Sequence, residues 1–214
     1  MRASASINSM RGEMQLVIAQ LVGVVVFCVG VLMLGLWLRR RPSVDVARTI
    51  SAISHGLFHA GLSVPMVWGL FWPSIARFDV IVGLPSLLVP AVREVLGGGL
   101  LLVGFYFASL SMVGLLKWGW GLASFVLSQR VVEMSLYQRV RNPMALGWYL
   151  MCLGVGCCAR STYLMLYLLL GHIPSHIFYL KFFEERELEL RFGESYTAYR
   201  RHIPFLIPRW RPAP

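Results

Sequence analysis

Two clusters in the C-terminal third of the chain hold residue types that can bind and transfer charged groups. The first is Arg141-Asn142-Pro143-Met144, with Gly147 shortly after. Asn suits a helix N-cap and Pro suits the first helical position. A helix that starts there aims its free N–H groups and its positive dipole end outward, where an anionic ligand group can dock. The second cluster is Glu184-Glu185, flanked by Lys181 and Arg186. A carboxylate pair can hold a cationic or hydroxyl-rich ligand and can take a proton from a reacting amine. Each cluster also has a plainer reading. The first is then an efficient cap, and the second a solvated helix in which Glu187 and Arg191 pair four residues apart. Further on, Gly193 ends a helix, and Tyr196 and Tyr199 share one side of a short helix that Pro204 stops. Those aromatics equally suit an interfacial belt.

Histidines form a third group. His55 and His59, and separately His172 and His176, stand four residues apart, an offset of about 40° on one helical face. Facing pairs could ligate a metal or a haem, and ionisable groups inside apolar segments are commonly functional. No second carboxylate ligand accompanies them, so they are read as hydrogen-bonded interior histidines, with no metal expected. The cysteines, Cys28, Cys152, Cys157 and Cys158, lie inside apolar blocks and form no CxxC pair. Neither a zinc site nor a disulfide framework follows.

The elements that must position these residues are membrane helices. Of 214 residues 57% are hydrophobic and only 14% charged, with a mean hydropathy of +0.65; a soluble domain carries roughly 25% charged residues. Met14 to Leu38 is uncharged and longer than the roughly 20 residues needed to span a bilayer, and Arg39-Arg40-Arg41 follows it at once. A cleavable signal peptide has its positive charge before the apolar core, so this block reads as a retained helix, with residues 1 to 13 polar and frayed. Ile50 to Trp72 reads as a second span, with Pro65 as a tolerated kink. Phe78 to Val92, interrupted by Pro85 and Pro90, is too short for a span and reads as re-entrant or interfacial. Val95 to Leu116 is the third span. After the connection from Lys117 to Pro143, Met144 to Ala159 and Ser161 to Phe183 read as a tight helical hairpin around Arg160.

The expected fold is therefore all-α, a polytopic membrane bundle of about five transmembrane helices with a C-terminal helical tail. Residues 1–94 are read as added N-terminal membrane helices and residues 95–214 as the core. Placing the N-terminus outside and the C-terminus in the cytoplasm puts 15 of the 20 Lys and Arg residues on the cytoplasmic side, the expected bias. Loop arginines then account for the net charge of +10. With no basic face carrying interleaved aromatics, no nucleic-acid partner is expected.

Taken in order, Arg-Asn-Pro-Met, a helical hairpin, Glu-Glu, Leu188, Phe-Gly-Glu-x-Tyr-x-x-Tyr and a Pro-x-x-x-Pro tail resemble the isoprenylcysteine carboxyl methyltransferase and phospholipid N-methyltransferase superfamily. The resemblance covers about residues 100 to 210. It implies an integral membrane enzyme of a bacterial inner membrane or endoplasmic reticulum that uses S-adenosylmethionine and methylates a lipophilic or lipid-modified acceptor at the membrane. Such acceptors are an isoprenylcysteine-type carboxylate or a lipid amine. It implies cofactor contacts at Arg141, Asn142, Pro143, Met144, Gly147, Glu184 and Glu185, with Tyr196 and Tyr199 in a closing C-terminal helix. Gly119 and Gly121 would match a glycine element before the first motif. Arg141, Glu184 and Glu185 are the candidate catalytic residues, Glu185 being preferred over Glu184. Ala145 departs from the Tyr usual at its position, and Tyr149 lies on nearly the same face. Membrane sterol reductases, which use a nicotinamide cofactor, look similar in the C-terminal hairpin and form the alternative, as does a non-catalytic relative.

Overall fold

The computed structural model describes residues 2–72, 75–87, 89–121 and 127–209, with side chains from residue 11 onward. Every regular element among them is helical. Four helices are long and apolar enough to cross a membrane, and this is a membrane protein. We number the helices α1 (Arg2–Arg40), α2 (Val44–Phe71), α3 (Ile75–Val82), α4 (Pro90–Gly119), α5 (Pro143–Cys158), α6 (Thr162–Phe192) and α7 (Glu194–His202). Of the five expected spans, α1, α2, α4 and α6 have spanning length, and α5 is the shorter apolar helix.

Three boundaries differ from the sequence reading. The first helix is not frayed over residues 1 to 13 but runs from Arg2. Phe78 to Val92 is not one re-entrant piece. Helix α3 stops at Gly83, whose φ of 70° suits glycine, and Pro90 then opens α4 from its first turn. The third span therefore begins before Val95, because Pro at a helix start has no N–H to lose. Residues 122–126 of the Lys117–Pro143 connection lie outside the described residues.

Proline shapes α2 as expected, by way of a π-helical turn at His59–Ser63 that precedes Pro65. Widening the turn relieves the clash that a helix-interior Pro creates. Helix α6 carries two such turns, Tyr167–His172 and Leu180–Glu184. Helix α1 crosses α2 at backbone contact, since a Cβ on Gly23 would collide with the Gly61 carbonyl. Gln20 locks this crossing, its amide donating to the Pro65 carbonyl at 3.1 Å and accepting from the Tyr163 hydroxyl at 2.8 Å.

The α5–α6 hairpin is present, with Met165 and Leu168 close against Gly156, and small residues on another face of α5 set a second, closer pairing. Gly147 and Gly154 of α5 face Gly104 and Gly97 of α4, where a Cβ on Gly147 would stand 2.6 Å from the Ala108 nitrogen and one on Gly154 2.8 Å from the Gly97 carbonyl. Small residues let helices approach closely in lipid, so α5 pairs tightly with α4. Its bulky residues, Trp148 and Tyr149, turn toward α6, and a cavity opens between the two.

Candidate active site

The site begins at the first turn of α5. Pro143 holds the first helical position and Asn142 the N-cap position, as the sequence implies. The Asn142 side chain, however, does not cap the helix. Its amide donates to the Phe205 carbonyl at 3.1 Å. The Arg141 N–H donates to the Pro204 carbonyl and the Arg209 N–H to the Arg139 carbonyl, both at 2.9 Å. The C-terminal tail is thus laced along residues 139–142 and keeps the Asn142 amide turned away. The first bond inside the helix runs from the Leu146 N–H to the Asn142 carbonyl at 3.0 Å, and no side chain caps the turn ahead of it.

That uncapped turn faces a cavity of about 490 Å³, within the range of small-molecule sites. Arg141, Asn142, Pro143, Met144 and Ala145 line it from α5, Glu184 and Glu187 from α6, and Tyr196 and Tyr199 from α7. Both clusters singled out in the sequence therefore meet at one end of one cavity. The two glutamates divide their work. Glu185 forms an ion pair with Arg141 at 2.8 Å and a longer one with Arg200 at 3.7 Å, and Arg200 also reaches Glu189. Glu184 makes no ion pair or hydrogen bond with any described residue and lines the cavity. Glu184 thus lines the cavity, whereas Glu185 ties α6 to Arg141 and α7.

Helix α7 closes this end. Tyr196 and Tyr199 are buried, and the Tyr199 hydroxyl donates to the Tyr137 carbonyl at 2.8 Å. Burial pushes the phenols of Tyr137, Tyr196 and Tyr199 well above their ordinary range, with nearby Glu184 adding to the effect at Tyr137 and nearby Glu185 at Tyr196. They stay protonated across physiological pH.

Other expected site residues sit elsewhere. Gly147 packs on α4 and does not reach the cavity. A Cβ on Gly119 would stand 2.9 Å from Val132, and one on Gly121 2.8 Å from the Ser128 Cα, so both glycines make room for the returning connection, without lining the cavity. Tyr149 does not stand in for the ring missing at Ala145, because its hydroxyl meets His176 Nδ1 at 2.8 Å. Trp148 is the α5 ring that lines the cavity.

Two residues read as solvated belong to the site. Glu187 is buried, with 2% of its surface exposed, and pairs with Arg191 at 2.8 Å; both line the cavity. The i,i+4 spacing revealed the pair but not its burial, because the π-turn at Leu180–Glu184 rotates the helix face after it. Two of the histidines are hydrogen-bonded within the bundle: Trp148 donates to His172 Nε2 at 3.2 Å, and His176 meets Tyr149. Among the described residues no three His, Cys, Asp or Glu side chains form a metal-binding group.

Comparison with known proteins adds one finding. Residues 92–195 match the family model described as phospholipid methyltransferase. No curated protein and no solved structure matches the chain. The match covers α4 from Val92 onward, all of α5 and α6 and the first residues of α7, and leaves α1, α2 and α3 outside.

Proposed function

We propose, from a membrane protein whose residues 92–195 form a phospholipid methyltransferase domain, that the cavity binds S-adenosylmethionine and presents it to a lipophilic acceptor. When bound, S-adenosylmethionine supplies an activated methyl group, whose bond to sulfur breaks as its bond to the acceptor forms. The observation that carries the reading is the pairing of an uncapped helix start with an unpaired glutamate in one cavity. The first turn of α5 suits the ligand carboxylate, and Glu184 suits its ammonium or its ribose hydroxyls. Arg141 is neutralised by Glu185 and Arg191 by Glu187, so Glu184 is the lining carboxylate left to meet a cation.

The chain supplies position and proton transfer. Tyr196 and Tyr199 close the end at which Glu184 sits, and excluding water strengthens each polar contact inside. Holding donor and acceptor in line accounts for most of the rate. A carboxylate acceptor is ionised near neutral pH and needs no base. An amine acceptor must lose a proton, and Glu184 is the group placed to receive it. We place this end of the bundle in the cytoplasm, following the distribution of Lys and Arg.

Calorimetric titration of the purified protein with S-adenosylmethionine and with NADPH tests the reading. Saturable heat from S-adenosylmethionine alone is expected. Heat from NADPH alone, or from neither, removes it.

A further inference from the structure

Away from the charged end, the cavity changes character. Its charged lining residues, Arg130, Arg141, Glu184, Glu187 and Arg191, belong to the α5 start, the second half of α6 and the connection before α5. Helix α2 contributes Ser51, His55, His59 and Ser63, spaced four apart along one face, a stripe about 18 Å long at the helical rise. Across from its inner part stand Trp148 and His176. Rings are in mutual contact there: Phe58 and His176 lie 4.5 Å apart, and His176 stacks on Tyr179 at 5.6 Å. The inner half therefore offers flat faces, hydroxyls and imidazole nitrogens.

One group in the stripe is unsatisfied. The π-turn gives the His59 carbonyl to the Val64 N–H, and the buried Ser63 hydroxyl has no hydrogen-bond partner in the described protein. Buried hydroxyls are normally bonded, and this one lines a cavity with room for a partner. Helix α2 also lies outside the matched residues 92–195.

We propose that α2 builds the acceptor subsite, and that Ser51, His55, His59 and Ser63 select a lipophile whose inserted body is a flat ring with neutral oxygen substituents, of the phenol or hydroquinone kind. A saturated acyl chain would leave the stripe unmatched, whereas a ring stacks on Trp148 and the histidines and its oxygens meet the serine and imidazole groups. The inference rests on the methyl-transfer reading of the cavity and names the acceptor's body.

The test is saturation binding of a radiolabelled long-chain alkyl hydroquinone to the protein in phosphatidylcholine nanodiscs. Saturable binding to the parent is expected, weakened about threefold to tenfold in Ser63→Ala and in His59→Leu, the cost of one lost hydrogen bond. The thermal midpoint of Ser63→Ala is expected to hold or rise, because the lost hydroxyl had no partner. Absent binding, unchanged affinity in both variants, or equal displacement by phosphatidylethanolamine overturns the proposal. So does a Ser63→Ala variant that loses stability but keeps its affinity. Calorimetry with S-adenosylmethionine on the same samples reports separately on the methyl-transfer reading, which fails only if that titration is flat.

Discussion

At the start of α6, Asp79 accepts the Thr162 N–H at 2.6 Å and the Tyr163 N–H at 2.9 Å, while Ser161 accepts the Leu164 N–H at 3.1 Å. At the start of α5, Asn142 occupies the same cap position but donates its amide to Phe205, and the helix end faces a cavity. Orphan N–H groups at a helix start demand acceptors. One end is filled by a carboxylate from α3. The other is held open by a tail laced behind it. The two ends meet the same demand differently: Asp79 does inside the protein what a ligand carboxylate is proposed to do at α5.

The largest expected effect breaks the filled end. Asp79→Ala removes charged acceptors from two buried N–H groups, and a loss of about 2–4 kcal/mol is expected. Thermal or denaturant unfolding in detergent measures it. Affinity for S-adenosylmethionine should stay at the parent value, since Asp79 caps the opposite end of α6 from Glu184. Glu184→Gln acts on the open end instead. Losing a charged hydrogen bond worth about 1.5–3 kcal/mol should weaken S-adenosylmethionine binding roughly ten- to hundredfold by calorimetry, with the unfolding midpoint unchanged. A lowered midpoint with intact affinity would assign Glu184 to structure.

Glu185→Gln sharpens the division between the two glutamates. It strips Arg141 of its carboxylate and leaves Arg200 with Glu189 alone, so stability should fall by about 1–2 kcal/mol, with a smaller loss of affinity than in Glu184→Gln. The reverse order of affinities would restore Glu185 as the ligand-facing residue. The smallest effect belongs to the lid. Tyr199→Phe deletes the bond to the Tyr137 carbonyl and should cost about 1 kcal/mol, seen as faster amide exchange across α7.

Much of the open end was legible in the sequence, because its signals are local. Pro143 marks the start of α5, Gly193 separates α6 from α7 with a φ of 57°, and adjacent glutamates mark the facing helix. What stayed hidden depends on contacts distant in sequence or on changes of helical period. Nothing near Thr162 announces that Asp79 will cap it. Gly119, Gly121 and Gly147 carried the signature of a ligand-binding glycine, yet what each avoids is protein: Val132, the Ser128 backbone and α4. A regular 3.6-residue projection does not foresee the π-turn at Leu180–Glu184, which is why Glu187 read as solvated. The histidine stripe of α2 was visible as spacing alone. Its cavity appeared only once α5 was seen to pack on α4.

The contrast between the filled and open helix starts is tested most directly by converting one into the other. In Asn142→Asp the side chain can no longer donate to the Phe205 carbonyl, and a carboxylate at the N-cap position turns back onto the uncapped N–H groups of α5, as Asp79 does at α6. Calorimetric titration with S-adenosylmethionine should then show affinity reduced about tenfold or more, with a thermal midpoint that does not fall. Parent-like affinity in this variant would contradict the account, because the ligand's anionic group would then dock somewhere other than the start of α5.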